Sequence, residues 1–462
     1  MFDAFVAFRA RLQPRAPALI TRGARVSFAD LDVHVDKVAA ALAGEGLSAA
    51  SGVVAMDVAD AYNEMVLLLA LARLRVASTP GYDARADLRF SQTPGWFNRA
   101  YAADHRRMEP AATDPDGLGR VLLSSGTTQS PRRVGLTWRM IDANVRNAAT
   151  LWLAGLSGRW VPVTGLDSMA GLVTTLTAWS TGATVATGWG FEGLPAMLEE
   201  IEPSFLVFTP AHLRDLLSQL PPGFKPRPGL RVLLGGSLTP RALAQEARLR
   251  LTPDLRIIYG STECSAMAHF DAARLDETPG AVGYPGPDVR VEILDEAGAP
   301  LPRGEIGEVR IVCPRSAQAY LGDPEASART FRNGGFHPGD LGRLTPEGLL
   351  ILEGRIDDRM SVGGRKIMPH TIEEAALACP GVADAAAFAA PDDLGMDQLY
   401  LAVVQGEGFE RERLVATLQG LPGVWPPVRF AWIVQIPRNA MGKIERVRLR
   451  SEAMAALGLK DA

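Results

Sequence analysis

Along residues 53–259 the chain repeats one pattern: a short β-branched or aliphatic run, a polar or glycine turn, then a longer stretch rich in Ala and Leu. Short apolar runs bounded by turns read as strands buried on both faces, and the longer stretches as the helices that cover them. Strands are therefore predicted at 53–56, 121–123, 184–186, 205–208, 232–234 and 257–259, in parallel sheets layered with helices. Ligands of such sheets gather beyond the carboxyl ends of the strands, so the residues just after these runs are where chemistry is expected.

After Glu277 the texture changes. Predicted strands 289–294 and 308–312 are separated by GYPGPD, EAGAPLPRGE and GD turns, which points to a small, mostly antiparallel β unit. A second change follows EGRIDDR, where a helix at 370–378 and strands at 385–389 and 400–404 predict a compact α+β domain. The boundary falls near Arg355 to Asp358. The fold class is thus α/β: a large N-terminal domain, residues 1–354, with a β-rich subdomain at about 278–354, followed by a small C-terminal domain, residues 358–462. The Pro- and Arg-rich stretch 80–116 has little periodicity and gives no reading of its structure.

Composition narrows the class. A chain of 462 residues suggests roughly two to four domains. Lys and Arg total 48 against 52 Asp and Glu, so there is no broad basic field to hold nucleic acid. Cys264, Cys313 and Cys379 lie far apart without CxxC spacing, which argues against a zinc site or disulfide framework and for small buried side chains in a reducing compartment. The N-terminus carries Asp3 and interrupting arginines, unlike a secretory signal. The longest apolar run, 65–72, is far short of the roughly 20 residues that span a bilayer. A soluble, cytoplasmic protein without a membrane span is expected.

Candidate chemistry lies in four places. VLLSSGTTQSPRRVG, from Val121, runs from a strand into hydroxyls, a glycine and two arginines. Backbone amides, hydroxyls and a guanidinium fork suit phosphate oxygens, although a Ser/Thr-rich surface turn is the plain alternative. It is not a Walker loop. IIYGSTECS, from Ile257, places Tyr259, Gly260, Ser261, Thr262 and Glu263 at a strand end, where a carboxylate can hold Mg²⁺ against phosphates; a solvated turn carboxylate is the alternative. In the segment from Gly335 to Glu374, Asp340 can accept from ribose hydroxyls, while Arg355, Lys366, Gly363 and Gly364 offer positive charge and close backbone approach. Finally, PRNAMGKIERVRLR carries Lys443 behind Gly442, a residue that alone would read as surface decoration.

Taken together and in order, these segments resemble the adenylate-forming superfamily of acyl-CoA synthetases, nonribosomal-peptide adenylation domains and luciferase. Ser124 to Val134 is similar to its TSGTTGxPKGV loop, Tyr259 to Glu263 to YGxTE, Gly339-Asp340 to TGD, Arg355 to Glu373 to GRxDD…GxKIxPxxIE, and Pro437 to Arg446 to PRxxxGKIxR. Val26 to Leu42 resembles an early TYxEL helix entry. The resemblance implies Mg-ATP and a carboxylic acid as ligands. Ser124, Ser125, Gly126, Thr127, Thr128 and Arg132 would grip phosphate, Gly235, Gly236 and Ser237 would line the adenine slot, and Thr262 and Asp340 would contact AMP. Tyr259, Gly260, Ser261 and Lys366 would complete the nucleotide site, with Glu263 on Mg²⁺ and Arg355 on the ribose. Lys443 would stabilise charge in the transition state. Residues 355–357 would form the hinge, with Asp357 at the matching hinge position, and its rotation would bring Gly363 and Gly364 to a pantetheine tunnel for CoA.

Three departures stand out. Gln129, Arg132 and Arg133 replace the loop's usual Gly, Lys and Gly. The PxxHxxG segment reads GLDSMAGL, with Ser168 where the histidine stands and Gly171 after it; both are expected at the acyl pocket, with room for a bulky or aromatic acid, and Asp167 as a polar contact or plain turn residue. The chain is short for the superfamily and carries no carrier domain after Lys443, so a stand-alone acid–CoA ligase is expected. An enzyme passing its adenylate to a separate acyl-carrier protein or an amine, a non-catalytic nucleotide-binding relative, and a luciferase-like oxygenase remain as alternatives.

Overall fold

The computed structural model describes residues 2–124, 131–152, 158–190, 192–362, 365–391, 396–421, 428–439 and 443–458, with backbone only for Trp152, Arg365 and Lys366. Two sheets organise the larger part. In one, Leu88–Ser91, Val53–Asp57, Ala77–Pro80 and Leu118–Ser124 lie parallel, and Arg132–Thr137 closes the edge antiparallel to Leu118–Ser124. In the other, Pro17–Ile20, Thr184–Ala186, Arg159–Pro162, Phe205–Phe208, Arg231–Leu234 and Asp254–Ser261 are parallel neighbours in that order. Phe205–Phe208 and the apolar residues 232–234 are buried along their whole length, as an uninterrupted apolar run requires.

Helix entries follow local chemistry. Ser27 caps Phe28–Gly44 by accepting from the Asp30 amide, so the early helix lies where the TYxEL-like segment puts it. Asp60 caps Ala61–Arg73 in the same way, and Thr209 caps Pro210–Gln219, whose first-turn proline needs no amide partner. One apolar core gathers both sheets and the helix Met169–Thr181; a second lies under the helices Leu194–Ile201, Pro210–Gln219 and Arg241–Arg250.

The strands after Glu277 extend the parallel sheet rather than standing apart from it. Ser265–Asp271 folds back on Asp254–Ser261, Ala281–Pro285 joins it, and the antiparallel ladder continues through Leu350–Arg355 and Asp340–Leu344 to Gly307–Val312. The stretch without periodicity does contain elements, the strand Leu88–Ser91 and the helix Trp96–Ala102. Phe90, Trp96, Phe97 and Tyr101 pack ring on ring there, so aromatic clustering rather than a regular repeat drives the order.

Beyond residue 358 the strands Val382–Pro391, Asp397–Gln405 and Arg429–Trp432 form a sheet of their own with cores on both faces. The helices Pro369–Leu377 and Arg411–Gln419 cover one face and Arg446–Ala456 the other. Buried Glu373 ties the layers: its Oε1 accepts from the Ala387 amide at 2.9 Å and from Arg446 at 2.8 Å. Among the described residues no helix is long and apolar enough to cross a membrane.

Candidate active site

The carboxyl ends of Phe205–Phe208, Arg231–Leu234 and Asp254–Ser261 lie side by side. Gly235 and Gly236 leave the middle strand there. A Cβ on Gly235 would come within 2.6 Å of Ile258 Cγ2, and Gly236 has a φ of +92°, so only glycine fits the close approach and the left-handed turn. Next to them a bulge between Tyr259 and Gly260 twists the third strand before it reverses through Thr262, Glu263 and Cys264. The Ser261 hydroxyl accepts from the Cys264 amide at 3.3 Å and fixes this reversal.

Two strands of the antiparallel extension deliver Asp340 and Arg355 to the same place as register partners. Asp340 is buried. Its Oδ2 accepts from the Tyr259 hydroxyl, and its Oδ1 accepts from Arg355 at 3.3 Å, while the same Arg355 nitrogen donates to the Pro338 carbonyl at 2.7 Å. Burial pushes the Asp340 carboxyl up, against the opposing pull of Arg355, the Tyr259 hydroxyl and Lys443. Burial likewise raises Tyr259 far above its ordinary range, with the Asp340 charge adding to it, so the phenol stays a donor.

Glu263, also buried, is held by a residue that sequence reasoning missed. The Tyr320 hydroxyl donates to Glu263 Oε1 at 2.9 Å, and the Ala317 amide donates to the Glu263 carbonyl at 2.8 Å. Tyr320 also bridges Val134, and its ring lies 5.2 Å below the Arg132 guanidinium, so it links Glu263 to the phosphate-type loop. Burial and the Glu263 charge push its phenol above the ordinary range. The available signal was an aromatic residue just before the LGDPE turn.

The loop itself begins at Ser124, paired in register with Arg132. Ser125, Gly126, Thr127, Thr128 and Gln129 lie outside the described residues, as do Gly363, Gly364 and the side chain of Lys366. The two arginines that depart from the usual pattern divide their work. Arg133 turns away to buried Asp83, Nε to Oδ2 at 3.0 Å, whereas Arg132 faces Tyr320. Arg133 is therefore structural.

Lys443 arrives from the other end of the chain. Its side chain is reached by solvent, but charged groups of the larger part of the chain stand near it. Burial there, then the Arg355 charge, lowers its ammonium pKa, while Glu263, Asp340 and Asp358 hold it up. Asp357 is exposed in the turn between the strand ending at Arg355 and the strand Met360–Val362.

Ser168 and Gly171, expected at the acyl pocket, have structural duties of their own. Ser168 caps the helix Met169–Thr181, accepting from the Gly171 amide at 3.0 Å and donating to Thr164 Oγ1 at 2.8 Å. A Cβ on Gly171 would fall 1.8 Å from the Gly165 carbonyl oxygen, so this glycine is required by packing. Beside the cap, Asp167 lies 3.6 Å from Arg120, whose side chain is wholly buried and donates to Ser78 Oγ at 3.0 Å and to the Leu166 carbonyl at 2.9 Å. Burial raises Asp167, and burial followed by the Asp167 charge pushes Glu64 up to about 7. Asp167 is thus an electrostatic partner and not a plain turn residue.

The chain is similar to known proteins over most of its length. Residues 78–321 match the family model described as AMP-binding enzyme. The chain is 30% identical to the fatty acid–[acyl-carrier-protein] ligase ScoC of Streptomyces coeruleorubidus over 372 residues, covering 76% of this chain and 71% of that one. It is 28% identical to the 3-hydroxybenzoate–CoA ligase of Aromatoleum sp. (strain CIB), over 74% of this chain and 67% of that one. The crystal structure of the anthranilate CoA ligase AuaEII in complex with anthranoyl-AMP superposes with a TM-score of 0.86 at 19% identity, covering 99% of this chain and 98% of that one, which shows a shared fold.

Proposed function

The chain belongs to the AMP-binding enzyme family, and from that premise we propose that it uses ATP to convert a carboxylic acid to an acyl-adenylate with release of pyrophosphate, then transfers the acyl group to the thiol of CoA with release of AMP. The observation that carries this proposal is the buried Asp340, held by Tyr259 and Arg355 next to the strand end that bears Glu263, with the ammonium of the distant Lys443 within electrostatic reach of all three charges.

In the first half-reaction the acid's carboxylate oxygen attacks the α-phosphorus and pyrophosphate leaves. Lys443 offsets the charge that develops between carboxylate and α-phosphate, and Thr262 donates beside it. Asp340, oriented by Tyr259 and Arg355, accepts from the ribose hydroxyls. Gly235, Gly236 and Ser237, with Gly260 and Ser261, border the adenine. Ser124 through Thr128, with Arg132, enclose the β- and γ-phosphates, and Lys366 adds positive charge nearby.

A Mg²⁺ site fits the residues present. Glu263 offers one buried carboxylate oriented by Tyr320, and among the described residues no cluster of three or more His, Cys, Asp or Glu competes with it. Mg²⁺ prefers one or two carboxylates completed by phosphates and water. When bound, it neutralises triphosphate charge.

For the second half-reaction the segment after Asp357 rotates, withdrawing Lys443 and presenting Gly363 and Gly364 to the pantetheine arm. A cytoplasmic setting accords with the need for ATP and CoA and with three buried free thiols. The likeness to ScoC, whose name states a carrier protein as acceptor, favours a second reading in which the thiol belongs to a separate acyl-carrier protein.

The test is ATP–pyrophosphate exchange across benzoate, 3-hydroxybenzoate, anthranilate, octanoate and malonate, followed by AMP release with and without CoA. Acid-dependent exchange with CoA-dependent AMP release is expected. Exchange without any response to CoA would transfer the assignment to a carrier protein or amine acceptor, and nucleotide binding with no exchange for any acid would refute catalysis.

A further inference from the structure

Lys443 sits in a short turn whose base is pinned. Arg438 and Ile444 pair across it as an antiparallel bridge; the Asn439 amide donates to the Lys443 carbonyl at 2.9 Å, and the Lys443 amide donates to Asn439 Oδ1 at 3.0 Å. Arg438 reaches back from this base to Asp384 on the strand Val382–Pro391, with Nη2 3.0 Å from each carboxylate oxygen. Asp384 has a second cationic partner from the larger part of the chain. Arg214, on the helix Pro210–Gln219, donates from Nη1 to Asp384 Oδ2 at 2.8 Å. That helix starts at the end of the strand Phe205–Phe208, whose last carbonyl accepts from the Gly235 amide. One carboxylate therefore joins the strand edge beside Gly235 to the root of the lysine turn.

From this bridge we infer that Asp384 is a positioning residue, paired with Arg214 to hold Lys443 in the arrangement that forms the adenylate, and that the Arg214–Asp384 contact opens when the acyl group is to be transferred. The inference rests on the function proposed above and adds what sets the balance between its two half-reactions. The side chains are only 31% (Arg214), 14% (Asp384) and 23% (Arg438) exposed, so water screens the bridge less than it screens an open surface pair. The bridge is also asymmetric. Removing Arg214 leaves Asp384 and Arg438 paired within the smaller unit, so the lysine turn keeps its base while this tie to the larger unit is lost. Removing Asp384 leaves two guanidinium groups with their shared counter-charge gone.

The decisive variant is Arg214→Ala, because Arg214 touches no reacting group. Adenylate formation, measured as exchange with whichever acid of the panel is used best, is expected to fall about fivefold to tenfold, the size of a partly screened ion pair. Thiolysis by CoA of the preformed adenylate of that same acid is expected to hold steady or rise. Arg214→Lys should restore part of the exchange by keeping the charge without the fork. A readout independent of catalysis uses spin labels at Leu249→Cys and Val447→Cys, both on exposed helix positions, with the native cysteines buried. The parent should give one dominant interlabel distance, and Arg214→Ala or high salt should add a second population. An unchanged distance distribution in Arg214→Ala would overturn the inference even if the enzyme proves active, whereas absence of exchange in the parent would sink the activity and leave the distance measurement to decide the bridge.

Discussion

Replacing Glu64 by Gln should stabilise the protein at neutral and alkaline pH and leave it unchanged at acid pH. Glu64 stands in the first turn of the helix Ala61–Arg73, and burial with the nearby Asp167 charge moves its carboxyl from 4.5 to about 7, against the pull of Arg120. A raised carboxyl has the reverse sign of a salt-bridged one. Between those two values the folded chain keeps the proton that the unfolded chain has released, so stability falls as pH rises through the window and the penalty is complete above it. Gln is an isostere of the protonated form and carries no such penalty. Moving a carboxyl that far corresponds to roughly 3 kcal/mol, and solvent reaching a partly open side chain reduces it to the order of 2 kcal/mol. Urea unfolding of parent and Glu64→Gln at pH 5, 6, 7 and 8 tests this: the gap between the curves should be smallest at pH 5, widen through pH 6 and 7, and level off by pH 8. A difference that is constant with pH, or that shrinks as pH rises, would refute the reasoning.

Other outcomes follow from the same geometry. Lys443→Ala should cut acid-dependent exchange about 10²- to 10³-fold while the unfolding midpoint stays put, since loss of one transition-state donor has that effect; undiminished pyrophosphate release would remove Lys443 from the chemistry. Tyr320→Phe deletes the donor to Glu263 and should lower exchange about tenfold, with part of the loss recovered at high Mg²⁺, as expected for a carboxylate left without its orienting partner; a loss that Mg²⁺ leaves untouched would speak against Glu263 as the metal ligand. Gly171→Ala should destabilise by several kcal/mol, or misfold, because the added methyl meets the Gly165 oxygen at 1.8 Å; soluble protein with a parental melting curve would show that this turn relaxes freely.

The strands were legible wherever an apolar run ended in a turn. The run 205–208 is the strand Phe205–Phe208, and 184–186 is Thr184–Ala186, because a strand buried on both faces has no polar alternative at any position. The family resemblance likewise rested on local motifs and agrees with the match over residues 78–321. Ser168 shows where local reading stops. Its place in a motif suggests a pocket wall, and what the motif did not show is that its hydroxyl also caps a helix, which depends on how Thr164 and Gly165 turn beneath it.

What the chain determined by itself was the menu of elements and the order of its motifs, since hydrophobic period, turn residues and caps act over a few residues. Only the tertiary structure decided which polar groups face one another. Tyr259 finds Asp340 across 81 positions, Tyr320 finds Glu263 across 57, and Arg214 finds Asp384 across 170. Nothing in the periodicity marks such partners. A buried charge or hydroxyl must be satisfied by some group, but the packing of distant strands decides which group arrives within hydrogen-bond reach.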